Sequence, residues 1–132
     1  MSGTMRAEGP ARVLEVVRTG PPERAGDWLE QVRRTIASSV CDGQPRIGGV
    51  ARRLGLSVRT LQRRLGERGV AFRAVVEDVR RELAVRYIAD RRTPLTDVAF
   101  LVGYSELSAF GRAFRRWTGS SPLAMRRRTA VV

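Results

Sequence analysis

The chain has 132 residues, 42% of them hydrophobic, enough for one packed domain or two small ones sharing a core. It carries 25 basic residues against 13 acidic ones, a net charge of +12, so a polyanion is the leading partner class. The single cysteine, Cys41, excludes an internal disulfide and a cysteine-based zinc site, and the lack of any histidine removes the usual general base and metal ligand.

Every basic residue is Arg, the better bidentate donor to phosphate and guanine. The excess is uneven: residues 1–26 hold four Arg and three Glu, while 27–132 hold 21 Arg against 10 acidic residues. Nucleic acid fits such a region best, with an acidic protein or an anionic membrane surface as the other candidates. With no histidine, no phosphate-binding glycine loop and no carboxylate cluster, neither an enzyme nor a cofactor is expected. No apolar run approaches the roughly 20 residues of a membrane span, and the N-terminus lacks the basic-then-apolar order of a signal peptide. The cytoplasm, in association with the nucleoid, is the expected location.

Residues 1–26 are rich in Gly and Pro and read as a linker or tail with one apolar knot, Val13, Leu14, Val16 and Val17. From Asp27, a candidate cap, the pattern turns helical: Trp28, Leu29, Val32, Ile36 and Val40 recur at spacings of three and four. "CDGQP" stops that helix. A short helix follows over 47–54, closed by Gly55, and Ser57 can cap the next, over 58–67, which stops at Gly69. "FRAVVEDVRRELAVRYIADR" reads as one long helix from 72 to 91. Thr93 then offers a cap with Pro94 at the first helical position, for a helix over 95–102 that ends at Gly103. Ser105 can cap a further helix through "ELSAFGRAFRRW", closed by Gly119, and a short turn follows Pro122. No strand pattern is present, so the fold class is all-α, with about seven helices.

The chain repeats itself. "VARRLGLSVRTLQRRLGERG" from Val50 matches "VAFLVGYSELSAFGRAFRRWTG" from Val98. Val50 and Ala51 pair with Val98 and Ala99, and Gly55 and Ser57 with Gly103 and Ser105. After the serine the second copy has one extra residue, and Leu61, Arg63 and Leu65 then pair with Phe110, Arg112 and Phe114. Each copy is a short helix, a glycine-containing turn and a longer helix, which is the helix-turn-helix pattern. The expected organisation is a tail (1–26), a first helix-turn-helix subdomain (27–70), a linker helix (71–92), a second helix-turn-helix subdomain (93–128) and a tail (129–132).

These residues, above all "LTDVAFLVGYSELSAFGRAFRRWTGSSPLAMR", resemble the DNA-binding domain of the AraC/XylS (arabinose-regulator) family of transcription factors. The resemblance runs from Trp28 to Arg127. It departs from the family in two places: Gly48 and Gly49 stand where the family has better helix formers, and Met125 where it has an aromatic. It implies a sequence-specific regulator that binds double-stranded DNA with two homeodomain-like units, each inserting a recognition helix into the major groove. RNA polymerase is a further candidate partner. The chain alone is expected to be monomeric. The family more often carries an N-terminal sensor domain, and with one attached a dimer becomes an option. The second motif looks most like those members, which favours a C-terminal piece of a longer regulator.

In the first copy Val58, Arg59, Gln62 and Arg63 should face outward, with Leu61 and Leu65 turned in. Arg suits guanine and Gln suits adenine. The family's motif places Arg59, Gln62 and Arg63 at base-contacting positions. In the second copy the matched positions are Ser108, Gly111 and Arg112, with Leu107 nearby. Only Arg112 is a strong reader there, so specificity is expected to be lopsided. Candidate phosphate contacts are Arg46, Arg53, Ser57, Arg64, Arg73, Thr93, Ser105, Arg115, Arg116 and Arg126, and about half are expected to serve. The aromatics Trp28, Phe72, Tyr87, Phe100, Phe110, Phe114 and Trp117 are expected in the core, and Tyr104 between the two helices of the second motif. Two other readings stay open: a solvated arginine face with no reading role, and a non-specific nucleic-acid binder or protein-interaction adaptor.

Overall fold

The computed structural model describes residues 27–130; the N-terminal stretch read as a linker, with its apolar knot, lies outside the described residues. Seven α-helices follow one another: α1 (Asp27–Ala37), α2 (Ile47–Arg53), α3 (Val58–Glu67), α4 (Phe72–Ile88), α5 (Leu95–Leu101), α6 (Leu107–Thr118) and α7 (Pro122–Ala130). A 3₁₀ turn, Val40–Asp42, lies between α1 and α2. No strand occurs among the described residues, so the chain is all-α as its pattern implied. None of the described helices is long and apolar enough to cross a membrane.

The helix boundaries show which local signals won. The helix expected to run to Val40 stops at Ala37, where the Ser38 and Ser39 hydroxyls bond back to the Thr35 and Ile36 carbonyls (2.8 and 3.3 Å). Such bonds compete with the helical ladder. Gly55 closes α2 at φ +74°, and Ser57 caps α3 by accepting the Thr60 amide at 3.1 Å.

α4 ends at Ile88, three residues short of the expected 91. Asp90 draws the chain into a turn there, accepting the Arg92 amide (3.0 Å) and the Thr93 hydroxyl (3.3 Å). With 17 residues α4 spans about 26 Å, not the 30 Å expected of a longer helix. The two expected caps of the second motif fail. Pro94, not Thr93, holds the cap position of α5, because the Thr93 hydroxyl is turned back to Asp90. Glu106, not Ser105, holds that of α6, because the extra residue of the second copy delays the helix by one. α7 is a helix of nine residues rather than a short turn; the Ser121 hydroxyl accepts the Ala124 amide at 3.0 Å and starts it. Met125, the non-aromatic departure, still packs against the core.

One apolar core runs through both copies of the motif. Val32 and Ile36 of α1, Leu61 and Leu65 of α3, Val79 and Leu83 of α4, and Phe110 and Phe114 of α6 belong to the same buried cluster. α4 is its axis, with α1, α5, α6 and α7 all packed against it. Phe110 and Phe114 are fully buried, and Trp28, Phe72, Tyr87 and Trp117 pack at the edge of the core. Phe100 corrects the expectation: it is 49% exposed, because Val98 and Ala99 already take the inward face of α5. Its partner in the first copy is Arg52, also exposed.

Charged clamps support this packing from outside. Arg33 of α1 pairs with Asp78 (2.6 Å) and Glu82 of α4 and with Glu30 (3.4 Å). Burial pushes the Asp78 carboxyl up, but hydrogen bonds from Arg81 and Arg33 outweigh it and hold the group below its ordinary value. The Arg64 and Arg68 guanidiniums lie 5.6 and 4.7 Å from the Trp28 ring centre, joining the end of α3 to the start of α1.

Candidate nucleic-acid interface

α3 separates its two faces cleanly. Leu61 and Leu65 are buried, while Val58, Arg59, Gln62 and Arg63 are all exposed. Arg59 and Gln62 have no side-chain hydrogen bond or ion pair with any described residue. Arg63 pairs with Glu67 at 3.2 Å, four residues on, with both side chains more than half exposed. An exposed pair of this kind is worth only about 0.3–0.5 kcal/mol, so Arg63 can exchange it for another acceptor. Three donors with little internal commitment therefore share one solvent face at the start of a helix-turn-helix second helix.

α6 presents less. Phe110, Ala113 and Phe114 face inward; Ser108 and Arg112 are exposed. Gly111 lies between them with open space where a side chain would be, and Leu107 is 41% exposed. Ser108 donates to Glu106 Oε1 at 3.3 Å. That carboxylate, at the cap position of α6, escaped the sequence reading; it sets a negative charge beside the second reading face.

The ten candidate phosphate contacts divide by what already holds them. Arg46, Arg53, Arg73, Arg115 and Ser105 are exposed, and none has a side-chain partner among the described residues. Arg46 sits at the cap position of α2 and Arg73 in the first turn of α4. The other five have internal partners. The Ser57 hydroxyl caps α3, and the Thr93 hydroxyl bonds Asp90. Arg64 leans on Trp28, and Arg116 pairs with Glu77 at 3.0 Å. Arg126 donates to the Ile88 and Asp90 carbonyls at 2.9 and 3.0 Å, satisfying the open C-terminal end of α4.

Sequence reasoning passed over two residues that position α6. Glu77 of α4 accepts both Arg116 and the Trp117 indole N–H (3.3 Å), tying the end of α6 to the linker helix. Arg80 of α4 is buried at 7% exposure, and its guanidinium lies 5.0 Å from the Tyr104 ring centre. A signal for Arg80 was present: it stands four residues after Val76 and four before Ala84, on the stripe that faces the core.

Comparison with known proteins agrees with this geometry. Residues 50–128 match a family model described as a helix-turn-helix domain. The ornithine utilization regulator of Pseudomonas aeruginosa is 39% identical over 94 residues, covering 71% of this chain and 27% of that protein. The chain thus spans about a quarter of that relative's length. The crystal structure of the transcriptional regulator CdpR of Pseudomonas aeruginosa is similar at 35% identity and TM-score 0.66, over 77% of this chain and 32% of that one. A DNA-binding transcriptional dual regulator of Escherichia coli K-12 shares the fold at TM-score 0.77 and 20% identity, over 86% of this chain and all of that one. A repeated helix-turn-helix about one core, a family model covering most of it and regulators as relatives lead to one conclusion: the chain belongs to the AraC/XylS family of helix-turn-helix transcription regulators.

Proposed function

We propose that this chain is a sequence-specific reader of double-stranded DNA that sets α3 and α6 into successive major grooves on one face of the duplex. The observation that carries this reading is the outer face of α3. Arg59, Gln62 and Arg63 stand together, exposed and almost uncommitted, on a helix whose other face is locked into the core by Leu61 and Leu65. Arginine matches the O6 and N7 pair of guanine, and glutamine matches the N6 and N7 pair of adenine. α6 contributes Arg112 and Ser108, with Glu106 turning phosphate away from one end of its face. Grip on the backbone falls to Arg46, Arg53, Arg73 and Arg115 with the Ser105 hydroxyl, and the arginines held internally add long-range charge.

The domains follow the same division: α1 to α3 as the first reading unit, α4 as the linker and α5 to α7 as the second. A longer regulator built around this chain would bring its own sensor domain and its contacts with RNA polymerase. A non-specific binder of nucleic acid is the competing reading, favoured by the charge of +12 alone.

Selection of sites from random duplex DNA separates the two. The expected profile has one half-site of high information, contacted by α3, and a second half-site with a single strong guanine. Equal displacement by random and selected duplex would defeat specific reading, and equal information in both half-sites would defeat the assigned division of labour.

A further inference from the structure

We infer that Arg80 fixes the orientation of the second reading helix relative to the first, so that the protein accepts its two half-sites at one spacing only. This rests on the two-groove reading above.

Arg80 is the only buried charged residue among those described. Its guanidinium makes no ion pair with any described residue, and its Nε–H is buried without a partner. Burying a charge with so little compensation is unfavourable, and an apolar side chain would fill the same space more cheaply. The contacts it does make join parts of the chain far apart in sequence. From α4, Nη2 donates to the Gly43 carbonyl at 3.0 Å, just after the 3₁₀ turn of the first half. The same guanidinium lies 5.0 Å from the ring centre of Tyr104, in the turn of the second motif. Arg80 therefore touches both halves at their junction.

Gly103 supplies an independent sign that this junction is built. A Cβ there would stand 2.5 Å from the Val40 carbonyl oxygen, 2.9 Å from Arg80 Nη2 and 3.0 Å from the Gly43 carbonyl oxygen. Its repeat partner Gly55 has open space around it. Both glycines have positive φ, +95° and +74°, as their turns require. Only the second also admits a close approach, and what approaches is the 3₁₀ turn together with Arg80.

From this point the geometry passes directly into α6. The Tyr104 ring packs against Phe110 and Trp117 at 5.9 and 6.2 Å between ring centres. Those two residues lie on the inner face of the helix whose outer face carries Ser108 and Arg112. Rotating α6 relative to the first half would part the guanidinium from either the Tyr104 ring or the Gly43 carbonyl, since one contact lies in each half. On DNA, moving one half-site by a single base pair rotates it by roughly 35° about the duplex axis, more than a locked pair of helices can follow.

The test uses the whole chain and duplexes built on its selected site. The gap between half-sites is shortened or lengthened by one or two base pairs, and one further duplex has the second half-site scrambled. Wild type should lose about tenfold or more in affinity for each one-base-pair change, about one factor of ten being 1.4 kcal/mol. Arg80→Met should bind the scrambled duplex within about twofold of wild type, yet lose about tenfold on the intact site and show a flattened dependence on spacing. Arg80→Lys, which keeps charge but not the planar fork, should fall between. Arg86→Met removes the same charge from an exposed position on the same helix and should keep the wild-type spacing profile. If Arg80→Met fails to fold by circular dichroism, Tyr104→Leu carries the test, with the same flattening expected.

A wild-type spacing profile in the folded variant, or equal losses on intact and scrambled duplexes, would make Arg80 a plain packing residue. A wild type indifferent to spacing would overturn the inference while leaving specific reading intact. A wild type that prefers no selected site would remove both.

Discussion

At the scale of the residue, the arginines of this chain are not interchangeable. Arg63 is exposed and held by one weak pair; Arg126 is spent on backbone carbonyls; Arg80 is buried between two halves. Arg63→Ala should therefore cost DNA affinity rather than stability. The expected loss is about 1–3 kcal/mol, with relaxed preference at one base pair and intact discrimination elsewhere. Binding measured against a set of singly substituted sites checks it. A uniform loss on every duplex would turn Arg63 into a phosphate contact. Sequence alone distinguished the faces of α3, because leucines at 61 and 65 leave no doubt which side is inward. It could not distinguish Arg126 from Arg115, since only folding brings the Ile88 carbonyl to one of them.

At the scale of the element, the motif's first helix is weaker than its neighbours. α2 has seven residues, two of which are Gly48 and Gly49 in its first turns, each with open space at the position of a Cβ. Both have helical conformation, so alanine can adopt it without strain and with less unfolded-state entropy to lose. Gly48→Ala and Gly49→Ala should each raise stability by about 0.5–1 kcal/mol, read as a shift in urea midpoint at unchanged slope. A drop in stability would mean that the close approach of another element, not open solvent, explains the glycines. The elements themselves were largely legible in the sequence: periodicity and the glycines at 55, 69, 103 and 119 located α1 to α6, while α7 was expected only as a short turn. Their exact ends were not. Thr93 and Ser105 each look like a cap, but Asp90 captures the first, and the inserted residue of the second copy displaces the other. Competing hydrogen bonds of this kind depend on where the chain has already turned.

At the scale of the whole molecule, one core serves two reading units of unequal equipment. The two matched helices diverged on their outer faces while keeping their inner ones: leucines became phenylalanines inside, and Arg59 and Gln62 became Ser108 and Gly111 outside. Charge should then dominate affinity while α3 dominates choice. With four of the candidate phosphate-contact arginines exposed and committed to no described partner, and a few partly held ones in reserve, about four to six phosphates should be neutralised. The slope of log affinity against log salt should lie near −4 to −5. Titration of one selected duplex across a salt series measures it, and a slope shallower than about −2 would remove the phosphate grip assigned here. The extended charge pattern was visible in the sequence from the start. The junction of Arg80, Gly43, Gly103 and Tyr104 was not, because its members lie as far as 61 positions apart along the chain and share no periodicity.

Cys41 gives that junction a practical use. It is the only thiol in the chain, it is exposed, and it lies in the 3₁₀ turn between Val40 and Gly43, whose carbonyls crowd against Gly103. A maleimide dye would attach at this one point without any engineered residue. Its fluorescence would then report, in real time, how the seam between the halves responds as the protein meets its duplex.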